Sequence, residues 1–148
     1  MEASFGHILD LPEKRLGIRI NEGFKPEFVV LKNKSKIVNI LKNRAKNSDE
    51  IYLAGDSDRE GEAICHELKE ILQKDNTKFY RVRFREVTRK AILLSLENKE
   101  DIDSNLVQSQ IARRILDRLV GYLISPVLWK KIQGGLSAGR VQSVVLSW

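Results

Sequence analysis

The chain has 148 residues, 42% of them hydrophobic and 31% charged, which suits one folded domain or one domain and part of another. No apolar run reaches the roughly 18 residues of a membrane span, the N-terminus does not read as a signal peptide, and a single cysteine, Cys65, excludes an internal disulfide. Lys+Arg total 26 against 20 for Asp+Glu, a net charge of +6, so the expected partner is a polyanion and the expected setting a reducing cytoplasm.

In chain order, the first element is "EFVVL", Glu27 to Leu31, a β-branched run that reads as a buried strand. Ser35 is placed to cap a helix bearing Ile37, Ile40, Leu41 and Ala45 at helical spacing. "EIYLA", Glu50 to Ala54, reads as a second strand, and helical spacing returns in Ala63, Ile64, Leu68, Ile71 and Leu72. "FYRVRFRE" alternates, with Tyr80, Val82 and Phe84 on one face and Arg81, Arg83 and Arg85 on a face expected to be exposed and basic. Thr88 caps the next helix, "RKAILLSL". Strands separated by helices of this length predict a parallel α/β sheet.

The pattern stops at "ENKEDIDS", Glu97 to Ser104, which reads as a polar linker. Residues Leu106 to Leu123 then carry an apolar stripe through Val107, Ile111, Ile115, Leu116, Leu119 and Leu123, with Pro126 expected to end the helix. A glycine-rich turn, "KIQGGLSAGR", leads into a last predicted helix, "VQSVVLSW". The expected division is residues 1–100 as an α/β domain and residues 101–148 as the start of a helical one.

The chemistry concentrates in Asp56, Asp58 and Glu60, which alternate between the second strand and its helix. Asp56-x-Asp58-x-Glu60-Gly61 with Glu67 in the twelfth position approaches an EF-hand loop, but a strand precedes it and helical spacing follows the glycine at once. Two readings stay open. Carboxylates near a helix N-terminus stabilise its dipole, each by roughly 0.3–1 kcal/mol. Alternatively, a hard cation such as Mg²⁺ sits beyond the strand end, where open α/β sheets place ligands, with Arg59 meeting a phosphate.

"DSDREGEAI" resembles the acidic motif of the TOPRIM fold in the form used by type IA DNA topoisomerases. "ASFGHILDLP", "VRFREVT", "QIARRILDRLVGYLISPVLWKKI" and "GLSAGRVQS" resemble further segments of that family, in family order. The resemblance implies a Rossmann-like parallel sheet with flanking helices, its first strand missing here, followed by a helical segment. It implies an enzyme that relaxes negatively supercoiled DNA without ATP: a tyrosine attacks a phosphodiester and holds the 5′ end, another strand passes, and the break is resealed. Asp56, Asp58 and Glu60 match the Mg²⁺ residues and, with Arg59, the catalytic positions.

His7, Arg113, Arg114, Asp117, Tyr122 and Trp129 match positions near single-stranded DNA, as do Ser137, Ala138, Gly139, Arg140, Val141 and Gln142. Arg113 and Asp117 are four apart, so the carboxylate can fix the guanidinium for a bidentate phosphate grip; the plain alternative is a surface ion pair. Tyr122 or Trp129 can stack on a base or serve as core. Gly134 and Gly139 have P-loop spacing, but Arg140 and Val141 stand where Lys and Ser/Thr are required, which excludes ATP there. Ser137 as an N-cap suits a DNA phosphate at a helix N-terminus, or a plain turn.

The family's upstream glutamate and lysine have no counterpart here, and Tyr52, Tyr80 and Tyr122 fall where none serves as nucleophile. The expectation is therefore an inactive piece of a monomeric, cytoplasmic, nucleoid-associated topoisomerase, with no membrane partner. Two alternatives stand beside it: another TOPRIM nuclease or primase, which would lack the helical continuation, and a non-catalytic single-strand-binding module.

Overall fold

The computed structural model describes residues 1–73, 78–84, 86–139 and 142. The elements run β1 (Leu9–Asp10), β2 (Ile18–Arg19), β3 (Lys25–Pro26), β4 (Val29–Val30), α1 (Ser35–Ala45), β5 (Glu50–Ala54), α2 (Arg59–Leu72), β6 (Lys78–Val82), α3 (Arg89–Glu97) and α4 (Ser104–Lys131). They form two compact units: Met1–Asp10 with Val29–Gln110, and Leu11–Phe28 with Ile111–Trp148.

The first unit is built on β5 and β6, which pair in parallel with Tyr52 opposite Tyr80 and Ala54 opposite Val82. α2 connects them and packs on both β5 and α1. Its buried residues, Gly61, Glu62, Ala63, Cys65, Glu67 and Leu72, lie on more than one face, so the helix is enclosed rather than laid on a surface. Val38 and Ala45 of α1, Leu53 of β5, Val82 of β6 and Val107 complete the core. Cys65 is 1% exposed, and burial pushes its thiol up to about 11, which makes it a packing residue rather than a nucleophile. Thr88 caps α3 as expected, its hydroxyl accepting the Ala91 N–H at 3.2 Å.

Several elements differ from the sequence-based expectation. "EFVVL" is no buried strand: Val29 and Val30 are 41% and 39% exposed, and β4 pairs antiparallel with β1. An apolar run of this length satisfies a short surface ladder as well as a sheet interior, and spacing does not separate the two. Ser35 is not the cap of α1; a 3₁₀ turn at Lys32–Lys34 leads in, and Lys34 holds the cap position. The acidic stretch read as a linker is bound to the sheet, because Arg81 and Glu100 exchange backbone hydrogen bonds of 2.8 and 3.0 Å. Asp103 then caps α4, its Oδ1 accepting from the Asn105 and Leu106 N–H groups.

The largest correction concerns β6. Arg81 is not on an exposed basic face: it is 0% exposed, its guanidinium facing Glu62, also 0% exposed, at 2.9 Å. Alternation assigns faces, but it does not say whether the polar face is covered, and here α2 brings a carboxylate to receive the cation. Arg83 lies beyond the strand, and Arg85 lies outside the described residues.

In the second unit, β2 and β3 form a short antiparallel ladder, with Gly17 and Glu27 joined by a 2.8 Å backbone bond. Leu11 and Ile18 are buried there. Pro126 does not end α4, which continues to Lys131; proline brings no N–H to the Tyr122 carbonyl one turn back, but its φ remains compatible with a helix. The last predicted helix, except Gln142, lies outside the described residues. Among the described residues no helix is long and apolar enough to cross a membrane.

Candidate functional site

The acidic turn sits at the carboxyl end of β5, between the last strand residue, Ala54, and Arg59 at the start of α2. Asp58 is the N-cap of α2, in extended backbone, and its Oδ1 accepts the Gly61 N–H at 2.8 Å. Gly61 is where the turn folds back on the helix: a Cβ there would lie 2.8 Å from Asp56 N and 2.9 Å from its carbonyl carbon, and closer still to the carbonyl oxygen. From behind, the buried Arg81 donates to the Asp56 carbonyl at 2.6 Å and to the Leu53 and Val82 carbonyls at 3.3 and 2.6 Å. The backbone of the turn is thus clamped, while the Asp56, Asp58, Arg59 and Glu60 side chains are exposed.

The carboxylate behind this clamp is Glu62. One oxygen takes Arg81, the other takes Arg83 at 2.9 Å and the Asp103 N–H at 2.7 Å. Burial pushes the Glu62 carboxyl up, but the Asp103 N–H and the two guanidiniums outweigh it and hold it below its ordinary 4.5. Arg83 is held in turn by Glu100.

The N-terminal segment delivers His7 to the same region. Phe5 and Gly6 both have positive φ, +54° and +88°, and the Lys34 ammonium donates to the Ser4 and Phe5 carbonyls, which steadies that turn. His7 Nδ1 lies 2.7 Å from Glu67 Oε1 and Nε2 lies 3.1 Å from Glu60 Oε1. Glu67, 5% exposed, also accepts the Ile8 and Leu9 N–H groups at 3.1 Å each on its other oxygen. The structure therefore joins His7 to Glu60, two of the expected positions, through a helix face that Glu60 and Glu67 share seven residues apart.

It does not draw Asp56, Asp58 and Glu60 into one cage: among the described residues no three His, Cys, Asp or Glu side chains converge to hold a metal ion. The donor chemistry nonetheless suits Mg²⁺, which takes oxygen ligands and typically binds through one or two carboxylates with the rest of its shell water. The roles of Glu62, Glu67 and Arg81 were not assigned from the sequence, where Glu62 read as a helix-end charge, Glu67 entered only as the twelfth position of an EF-hand-like loop and Arg81 as part of an exposed face. Spacing on α2 puts Glu60 and Glu67 on one face, but nothing in the chain links Glu67 to His7 sixty residues away, or Glu62 to Arg81.

The other expected positions belong to the second unit. Arg113 Nε stands 3.9 Å from Asp117 Oδ2, an ion pair with both side chains about half exposed. The Arg114 guanidinium lies 4.9 Å from the centre of the Phe28 ring, a contact the sequence did not reveal. Tyr122 and Trp129 are 44% and 51% exposed, and the Trp129 indole donates to the Leu136 carbonyl. Ala138 is buried, its N–H donating to the Ser125 hydroxyl at 3.0 Å; Ser137 and Gln142 are exposed. Arg140 and Val141 lie outside the described residues, and with them the test of Ser137 as a cap.

A parallel β–α–β unit with a capped acidic turn at the end of its first strand is a Toprim arrangement, and the Toprim domain family matches residues 1–87. The DNA topoisomerase family matches residues 101–148. The full-length Topoisomerase I of Thermotoga maritima is 44% identical with a TM-score of 0.86, over 98% of this chain and 25% of that one. The chain belongs to the Toprim family, joined to the opening of a DNA topoisomerase domain as in the type IA topoisomerases. It spans a quarter of the length of the Thermotoga protein.

Proposed function

We propose that this chain is the Mg²⁺-binding and phosphate-orienting part of a type IA DNA topoisomerase, a monomeric cytoplasmic enzyme of the nucleoid that relaxes negatively supercoiled DNA without ATP. Residues 1–100 supply the Toprim portion and residues 101–148 the start of a DNA-binding helical domain. The observation that carries the reading is the clamped turn: β5, the Asp58 cap and Arg81 fix the backbone of Asp56 to Gly61, so the side chains meeting the ligand are presented from a rigid base.

Asp56 and Asp58 would hold the cation, with Glu60 as the third carboxylate available to it. When bound, Mg²⁺ supplies charge neutralisation for the transferring phosphoryl oxygens. Arg59 binds and orients the phosphate, and His7 stands on the DNA side of the same region with its ring nitrogens facing Glu67 and Glu60. On the second unit, Arg113 set by Asp117 and Arg114 set by Phe28 grip the backbone of a single strand, with Tyr122 and Trp129 available to stack and residues Ser137 to Gln142 lining the same strand. Tyr52 donates to Glu50 at 2.7 Å and, with Tyr80, lies under the Lys99 ammonium; Tyr122 belongs to α4. None takes the nucleophile's part, so this chain by itself binds without cleaving.

Calorimetric Mg²⁺ titration of the chain and of its Asp56→Asn/Asp58→Asn variant, with and without a single-stranded oligonucleotide, tests this. Asn caps a helix as well as Asp does, so the variant keeps α2 and removes only charge. The wild type is expected to bind Mg²⁺ more tightly with DNA present, and the variant to lose about tenfold or more in metal affinity, about 1.4 kcal/mol. Equal metal binding by both chains sinks the assignment.

A further inference from the structure

The net charge of +6 is not spread over the molecule. Between Glu27 and Asp49 there is no carboxylate, while Lys32, Lys34, Lys36, Lys42, Arg44 and Lys46 supply six cations, leaving 20 basic against 20 acidic residues elsewhere. The whole excess lies on α1 and its approach.

α1 turns Val38 and Ala45 inward and leaves Lys36, Asn39 and Asn43 on the opposite side, with Lys46 beside them, Lys42 on the flank nearer Val38 and Lys32 on the preceding 3₁₀ turn, all exposed. Lys34 is spent on the Ser4 and Phe5 carbonyls, and Arg44 faces Glu2 at 3.3 Å. Among the described residues none of Lys32, Lys36, Lys42 and Lys46 enters an ion pair. Four like charges so close repel one another, and a folded helix gains nothing from them unless an anion is brought near. Lys36 and Lys46 are about 15 Å apart along a helix, the axial length over which one duplex strand presents roughly four phosphates.

We propose that the outward face of α1 is a second nucleic-acid contact, binding the phosphate backbone of duplex DNA through Lys32, Lys36, Lys42 and Lys46, with Asn39 and Asn43 donating between them. It uses residues other than those of the acidic turn and those of α4 assigned to single strands, and it reads charge and shape rather than sequence. Two other anionic surfaces fit less well. A membrane-surface helix turns its apolar face to the lipid, whereas α1 buries Val38 and Ala45 and exposes only Ile40 as a large apolar side chain. An acidic protein would be expected to meet aromatic anchors, and α1 has none.

The test measures binding of the full chain to a labelled duplex oligonucleotide by fluorescence anisotropy across a salt series, for three variants. Changing all four lysines to Gln is expected to weaken duplex binding about tenfold or more near 0.1 M salt and to flatten the log–log salt slope by about 3 to 4, at roughly 0.9 per phosphate contact. The same four changed to Arg keep the charge and are expected to retain binding. Circular dichroism of the Gln variant is expected to match the wild type, since all four side chains are exposed. Arg113→Ala separates this surface from the α4 reading: a loss with Arg113→Ala alone overturns the α1 proposal and spares that reading, whereas a loss with the Gln variant alone upholds it whatever becomes of α4. No duplex binding at all, an unchanged slope, or lysine-dependent binding to phosphatidylserine vesicles in place of DNA overturns it.

Discussion

Arg81→Leu is expected to destabilise the first unit by about 3–5 kcal/mol, a large share of the roughly 5–15 kcal/mol that holds a domain folded. The guanidinium is fully buried and makes four bonds: to Glu62 and to the carbonyls of Leu53, Val82 and Asp56. A leucine restores apolar volume but leaves three carbonyls without that donor, and each buried acceptor so deprived costs about 1–3 kcal/mol. Glu62 does not become wholly uncompensated, because Arg83 and the Asp103 N–H remain on its other oxygen. Arg83→Leu is the control. Its side chain is 25% exposed, and it is expected to cost about 1 kcal/mol. Urea titration followed residue by residue through the amides of β5 and β6 reads both; equal, small losses for the two variants would mean that the clamp behind the acidic turn is unimportant.

The same network sets an acid limit. Glu62 is held below its ordinary 4.5 in the folded chain, so the stability it contributes is complete above that value and is lost as pH falls through the folded one. The urea midpoint of the first unit is expected to be level above about pH 5 and to fall below about pH 4.5, with a shallower fall in Glu62→Gln, which has no proton to take up there. An identical acid slope in that variant would place the sensitivity elsewhere.

What the sequence disclosed depended on whether a local rule was enough. β5 and α2 were legible because a short β-branched run and a 3.6-residue period are properties of consecutive residues, and so was the Thr88 cap. The family motifs located the acidic turn. Arg81 was not legible, since alternation fixes its face but its burial depends on Glu62 arriving from α2. Nor was the division of labour inside the turn: Asp58 serves as a helix cap, and Gly61 admits the Asp56 backbone. Of the two readings left open for these residues, the helix-end one is observed at Asp58, and capping uses one Asp58 oxygen and leaves the charge in place for the proposed cation. His7 resembled a DNA contact, yet its orientation is set by Glu67, a residue recognisable only once the N-terminal segment is folded against α2.

Gly61→Ala, the mildest substitution by size, is expected to rank with the loss of Arg81. In an open helix the change gains about 1 kcal/mol, because alanine loses less backbone entropy than glycine. Here the added methyl meets backbone rather than a flexible side chain, with Asp56 N at 2.8 Å and its carbonyl carbon at 2.9 Å, so the turn must move. Movement breaks or stretches the 2.6 Å bond from Arg81 to the Asp56 carbonyl, a charge-assisted bond worth about 1.5–3 kcal/mol, on top of about 1–3 kcal/mol of overpacking. The net expectation is a loss of about 2–4 kcal/mol after the helix gain is set against it. Gly134→Ala, where a Cβ would meet nothing within 4 Å, is expected to change stability by less than about 0.5 kcal/mol. Mg²⁺ titration of the folded fraction adds a second readout: a displaced turn carries Asp56 with it, so metal affinity falls in Gly61→Ala and is unchanged in Gly134→Ala. Full stability and full metal binding in Gly61→Ala would show that the turn need not lie against α2, and that the carboxylates are not held from behind.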